Sequence, residues 1–310
     1  MASRKGDIQA KITRWFGLSR PPYHMVGILP FLLGTFLAWR LERVFSPAVF
    51  TLGSLGVVLV MLSTCHAQEY FDGRQDERSR SLYRNRLGVG SGRLPDGILP
   101  SAIPLWTSIA TLVLAGCIGI GLQFWLKTGP LTLPMGCVGA LPGLLYSARP
   151  VRLVERGLGE ILIGACYGWI PVASAFYIQT GHIAPCIYWM ALPIGLSIFN
   201  VILLNEFPDH SATPGGMIRT NLLASLGKEK GMSLYVLVAI LSWTGVYLSL
   251  NAGIPRKALY LYLPVMAMSA VVAFMMARGK YENPLLLEIL CGLNIAVYLG
   301  TTIAYLLAFV

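Results

Sequence analysis

Nine apolar stretches recur along this chain, centred near Leu32, Val58, Leu112, Val138, Cys166, Ile194, Ala239, Met266 and Val297. A bilayer core takes roughly 20 apolar residues per helix, so the pattern predicts an all-α, polytopic protein of nine transmembrane helices. The polar connections alternate in length. Those on one side are short, whereas the connections after the second and sixth stretches, about 73–97 and 209–231, are long and polar. The predicted organisation is a basic segment over residues 1–20, followed by a single membrane domain over 21–310 whose two long loops cap one end.

Composition agrees with the pattern. Hydrophobic residues make up 55% of the 310, charged residues 12%, and the mean hydropathy is +0.64, which describes a chain that dissolves in lipid. Lys and Arg concentrate in cytoplasmic loops. With nine spans and the N-terminus inside, nineteen of the 24 basic residues fall on the cytoplasmic side. Only Arg40, Arg43, Lys127, Arg256 and Lys257 fall on the other, where the C-terminus also lies. The formal charge of +10 is therefore a topological bias, with some attraction to anionic lipid, and gives no case for a nucleic-acid partner. Six scattered cysteines show no metal or disulfide spacing and read as small buried residues. Met1 to Arg20 lacks the apolar core of a secretory signal and reads as a short amphipathic helix lying along the membrane.

The chemistry concentrates in two pentapeptides, Gln68-Glu69-Tyr70-Phe71-Asp72 and Asn205-Glu206-Phe207-Pro208-Asp209. Each ends an apolar stretch, and both fall on the predicted cytoplasmic side. Ionisable groups at such a boundary are costly unless something meets them. Gln68, Asp72 and Asp76 are spaced four apart, as are Asn205 and Asp209, so each helix end offers a column of oxygen ligands on one face. Magnesium takes oxygen ligands and is held by one or two carboxylates plus substrate phosphates. The arginine-rich loops would neutralise the remaining phosphate oxygens. A diphosphate at the mouth of an apolar cavity implies a lipid tail inside it, which makes a polyprenyl diphosphate the natural substrate.

These residues resemble the signatures of the UbiA superfamily of intramembrane prenyltransferases. The family's Asn-Asp-x-x-Asp-x-x-x-Asp is similar to Gln68 through Asp76. Its second motif is similar to Asn205 through Asp209, continuing to Arg219-Thr220. Arg20-Pro21-Pro22, Gly27-Ile28-Leu29-Pro30, Tyr146-Ser147 and Arg156-Gly157-Leu158-Gly159-Glu160 match further. The last stretch is most similar to the MenA branch, which prenylates 1,4-dihydroxy-2-naphthoate in menaquinone biosynthesis.

The resemblance implies nine helices around a central cavity, Mg2+, a prenyl diphosphate donor and an aromatic acceptor. It implies Asp72, Asp76 and Asp209 as catalytic metal ligands, supported by Gln68, Glu69, Asn205 and Glu206. Arg74, Arg93, Arg149, Arg219 and Lys228 would bind diphosphate, and Tyr146 and Tyr167 would face the acceptor or the carbocation. The chain departs from the family pattern at Gln68-Glu69, where Asn-Asp is usual, at Thr213 in place of an aspartate, and at Ile218 in place of a lysine.

Other readings carry their own expectations. A terpene cyclase of the same superfamily would use no acceptor. A transporter would place charges near mid-membrane, whereas the acids here cluster at helix ends. His66 and His210, beside the motifs, read as hydrogen-bonded residues rather than catalytic bases.

Overall fold

In a computed structural model the apolar stretches are helices, and the described residues contain no strand. The backbone is described for residues 2–72, 100, 102–148, 150–153, 157, 159–207 and 221–310, and the side chains for all of these except residues 2–8, 22 and 72. The helices are α1 (Ala2–Ser19), α2 (Pro21–Glu42), α3 (Pro47–Asp72), α4 (Ala102–Ile120), α5 (Thr132–Leu145), α6 (Gly159–Gly168), α7 (Ile170–Thr180), α8 (Pro185–Asn205), α9 (Leu222–Leu226), α10 (Lys228–Ser249), α11 (Lys257–Ala277) and α12 (Pro284–Ala308).

Among the described residues, eight segments are long and apolar enough to cross a membrane, one of them made of α6 and α7 together. The ninth apolar stretch is α5, which at 14 residues rises only about 21 Å. Proline explains several of the starts. It occupies the first turn of α2, α8 and α12, where its missing N–H costs nothing and its fixed φ favours the helix. At α12, Asn283 also accepts from the Leu285 and Leu286 amides. The expected loop over 209–231 is helical from Leu222 onward, because the Asn221 side chain accepts from the Ala224 amide and caps α9.

The spans close into a ring. Contacts run from α2 through α3, α4, α5, the α6/α7 pair, α8, α10 and α11 to α12, which packs back on α2. The α6/α7 span is the most buried, with 67% of its apolar window inside, and α4 the least, with 11%. Glycines allow the closest approaches. A Cβ at Gly168 would collide with the Gly195 backbone, and one at Gly34 with the Val172 carbonyl. Small residues at helix seams are the usual means of association where lipid is as apolar as the side chains. Four of the six cysteines are buried, as expected, but Cys117 and Cys137 are exposed.

Lipid offers no water to satisfy backbone groups, and a proline inside a helix leaves the carbonyl four residues earlier without its amide. Three such carbonyls find side-chain partners here. Pro30 frees Val26, Pro171 frees Tyr167, and Pro142 frees Val138. The Tyr298 hydroxyl lies 2.6 Å from the Val26 oxygen and 3.0 Å from the Tyr167 oxygen, and its single proton serves both. Cys166 Sγ donates to Val138 at 3.4 Å. Tyr298 is fully buried and ties α2, α6 and α12 together at the centre of the ring.

The two ends of the ring differ. At one, Arg40 Nε donates to the Phe309 carbonyl at 2.7 Å, and Gln179 hydrogen-bonds both the amide and the carbonyl of Ser46. Arg43, Lys127, Arg256 and Lys257 follow or precede helices at this end. At the other, α1 is strapped across α3 and α4. Trp15 Nε1 donates to Thr107 Oγ1, and Ser19 Oγ lies 3.1 Å from His66 Nε2. His66 is thus a buried, hydrogen-bonded strut, its ring tilted 32° to that of Trp15 with centroids 5.3 Å apart.

Replacing Tyr298 with Phe keeps the ring and removes the hydroxyl that two buried carbonyls share. The expected loss is about 1–3 kcal/mol of stability, read as a lowered thermal midpoint in detergent. An unchanged midpoint contradicts the assignment.

Candidate active site

The end strapped by α1 opens into a cavity at the centre of the ring. It encloses about 860 Å3 of empty space, its mouth included. Arg20, Gln68 and Asn205 supply the polar groups at the mouth, and Tyr23, Tyr146, Tyr167 and Tyr298 stand among aliphatic side chains further in. The two pentapeptides therefore do face one space, Gln68 from the last turns of α3 and Asn205 from the last residue of α8.

The motifs are used in parallel. In each, the first residue is a carboxamide lining the cavity, and the second is a buried glutamate engaged within the protein. Glu69 is 1% exposed and accepts from Arg20 at 2.9 Å. Glu206 is 4% exposed and accepts from the Leu223 amide at 3.2 Å. The difference follows from position, since adjacent residues point about 100° apart around a helix.

Arg20 had no assigned role in the sequence, although it stands in the Arg20-Pro21-Pro22 match. It precedes the first turn of α2 with φ of 47°, a left-handed conformation uncommon for a residue with a side chain. The sharp entry brings its guanidinium to the mouth, where it pairs with Glu69 and still lines the cavity. A basic residue directly before a helix-starting Pro-Pro was the available signal.

The second motif is anchored through α9. Its first amides are taken by three side chains from three segments, Leu222 by Glu160 at 3.3 Å, Leu223 by Glu206 and Ala224 by Asn221 at 2.8 Å. Glu160 is fully buried, which explains the glutamate of the Gly157-Leu158-Gly159-Glu160 stretch. Gly157 adopts φ of 65°, and a Cβ at Gly159 would come within 2.6 Å of the Tyr146 ring. Gly159 lets Tyr146 sit against the backbone at the cavity wall.

Of the remaining expected residues, Tyr146 and Tyr167 line the cavity. Lys228 begins α10 at the same end but is not among the lining residues. Asp76, Asp209, Arg74, Arg93, Arg149, Arg219, Thr213 and Ile218 lie outside the described residues, and Asp72 is described only as the backbone end of α3, one turn beyond Gln68. The described residues contain no cluster of three His, Cys, Asp or Glu suited to a metal. They do contain a free ligand atom. Asn205 Oδ1 is buried at the cavity mouth with no hydrogen-bond partner among the described residues, and a neutral amide oxygen in that state suits a hard cation or a bound donor.

Similarity to known proteins bears on this arrangement. Residues 27–308 match the profile of the UbiA prenyltransferase family. A 1,4-dihydroxy-2-naphthoate octaprenyltransferase of Bacillus subtilis (strain 168) is 23% identical over 295 residues, covering 94% of this chain and 89% of the relative. A UbiA prenyltransferase domain-containing protein 1 of Dictyostelium discoideum is 26% identical over 245 residues, covering 76% and 71%. A UbiA homologue from Archaeoglobus fulgidus, solved bound to GPP and Mg2+, superposes with a TM-score of 0.64 at 14% identity, covering 94% of this chain and 99% of that one. With its helical ring and the profile spanning nearly all of it, this integral membrane protein belongs to the UbiA prenyltransferase family.

Proposed function

We propose that this protein transfers a polyprenyl group from its diphosphate to 1,4-dihydroxy-2-naphthoate, with the active site opening on the cytoplasmic side. The observation that carries the reading is the cavity itself, with a polar mouth made by both pentapeptides above an apolar, tyrosine-bearing interior. The names of the relatives agree. One is a 1,4-dihydroxy-2-naphthoate octaprenyltransferase, and a relative from Synechocystis sp. (strain ATCC 27184 / PCC 6803 / Kazusa), 22% identical over 62% of this chain, is a 2-carboxy-1,4-naphthoquinone phytyltransferase.

In this reading the donor's diphosphate stays at the mouth and its chain enters the apolar space. Asn205 and Gln68, with Asp72, Asp76 and Asp209, would hold Mg2+. When bound, that ion neutralises the diphosphate and makes it a better leaving group. Arg20 adds a fixed cation at the same mouth, and Arg74, Arg93, Arg149, Arg219 and Lys228 are the further candidates for phosphate oxygens. As the allylic carbon–oxygen bond breaks, positive charge grows on the chain's first carbons. The ring faces of Tyr146 and Tyr167 stabilise it, and the aliphatic lining keeps water from capturing it. The electron-rich ring carbon of the acceptor then forms the new carbon–carbon bond and loses its carboxylate as carbon dioxide. Glu69 and Glu206 act as positioning residues, the first holding Arg20 and the second holding α9.

Purified protein incubated with magnesium and labelled geranylgeranyl diphosphate should give a prenylated product only when dihydroxynaphthoate is added. Labelled hydrocarbon formed without acceptor would favour a cyclase, and diphosphate left intact under all conditions would rule out both enzymes. Asp72→Ala and Asp209→Ala should each lower kcat at least about 100-fold, the scale for losing one group that stabilises transition-state charge.

Arg20→Ala separates structure from binding. Alone it removes the cation that Glu69 meets at 2.9 Å, and breaking a buried ion pair costs about 3–5 kcal/mol. The double change Arg20→Met with Glu69→Leu should recover most of that stability in thermal unfolding while KM for the donor stays raised about tenfold. Recovery of both would show that Arg20 serves packing alone.

A further inference from the structure

The helix α1 is joined to the bundle through the cavity mouth. Arg20 is the single residue between α1 and α2, and its left-handed backbone, with φ of 47° and ψ of 59°, sets the angle at which the two helices meet. The same residue pairs with Glu69 and lines the cavity. Where α1 lies therefore decides where the Arg20 guanidinium can reach. The bonds that fix α1 come from its last two turns. Trp15 Nε1 donates to Thr107 Oγ1 of α4, Ser19 Oγ lies 3.1 Å from His66 Nε2 of α3, and the Ser19 carbonyl lies 2.8 Å from His24 Nε2 of α2. Earlier along the helix, residues 9–13 are all exposed.

One flank of α1 has the chemistry of a lipid contact. Ile12 and Phe16, four apart and so on one face, are 54% and 56% exposed. At about 100° per residue, that face lies roughly a quarter turn from Trp15, Leu18 and Ser19, which pack against the bundle. Depth follows from the anchor. Trp106, beside the Thr107 that holds Trp15, is 67% exposed, the placement of an aromatic side chain at the membrane–water boundary. The sequence of α1 carries Arg4, Lys5, Lys11 and Arg14 against Asp7 alone, and Lys11 is exposed. An apolar flank with basic residues around it, held at headgroup depth, is the pattern of a helix that lies in an anionic interface. We propose that the Ile12 and Phe16 flank of α1 docks on anionic phospholipid of the cytoplasmic leaflet, and that this contact holds Arg20 at the cavity mouth. Donor binding then depends on the charge of the surrounding lipid. That consequence rests on the prenyltransferase reading above, whereas the lipid contact itself does not.

The test uses the full chain in nanodiscs and reads depth and turnover separately. Cys117→Ser with Cys137→Ser removes the two exposed thiols, and spin labels are then placed through Ile12→Cys or Thr13→Cys. The label at position 12 should be relaxed by lipid-dissolved oxygen, and the one at position 13 by a water-soluble nickel chelate. For turnover, KM for geranylgeranyl diphosphate is measured in phosphatidylcholine alone and with phosphatidylglycerol, in wild type and in Ile12→Ser with Phe16→Ser. Comparing the two proteins in the same lipids cancels repulsion between the charged leaflet and the donor. The ratio of KM without to KM with phosphatidylglycerol should be at least about fivefold higher in wild type, the scale of one basic residue's attraction to an anionic leaflet. The unfolding midpoint and kcat should hold, since both side chains are exposed. Equal ratios in the two proteins, or a label at position 12 reached by the nickel chelate as readily as one at position 13, would overturn the assignment. Wild-type protein inactive on every prenyl diphosphate would instead defeat the enzyme reading, and the depth comparison would still decide the lipid contact.

Discussion

Backbone carbonyls inside a membrane must find donors within the protein, and that constraint shapes the centre of this molecule. Prolines at positions 30, 142 and 171 each remove an amide from a helix, and the freed carbonyls of Val26, Val138 and Tyr167 are met by Tyr298 and Cys166. One hydroxyl thus joins the first span, the innermost span and the last. Ring closure and a cavity at its centre follow together, because the residue that satisfies the breaks also lines the space they create. The α6/α7 break turns Tyr167 into a residue with two roles, its carbonyl held by Tyr298 and its side chain lining the cavity.

At the mouth, the repeated pentapeptides divide labour in the same way. The carboxamide of each faces the cavity, and the glutamate of each is buried against a partner that shapes the site, Arg20 in one case and the amide of Leu223 in the other. An unpaired carboxylate at that depth would be costly, and an ion pair or a capped helix offsets the cost. Glu69, where the family usually has aspartate, and Glu206 therefore have local work to do. The side chain of Glu69 accepts from Arg20 across from α3, and that of Glu206 accepts from the Leu223 amide at the start of α9.

Much of this was legible in the sequence. The apolar stretches named the eight segments that, among the described residues, are long enough to cross a membrane, and α5 as a shorter ninth helix, and the twin motifs named the two helix ends that share a cavity. The basic residues expected on the outer side do lie at the end opposite Glu69, because charge bias along the chain converts directly into an end of the bundle. What could not be read was who answers whom. Tyr298 is 272 positions from the Val26 carbonyl it serves, and nothing local in either segment records the pairing. The break at Trp169 was hidden inside a continuous apolar run. Arg20 passed as part of a motif match because its reach depends on a left-handed backbone at one residue, and Glu160 because its partner lies 62 positions on.

The central claim is that both helix ends serve one diphosphate. The most direct measurement is an experimental structure with Mg2+ and a non-hydrolysable geranylgeranyl thiodiphosphate. The account predicts the diphosphate at the mouth, between Gln68 and Asn205 and beside Arg20, with the chain running inward past Tyr167. A diphosphate bound elsewhere, or one that touches only one of the two helix ends, would contradict it.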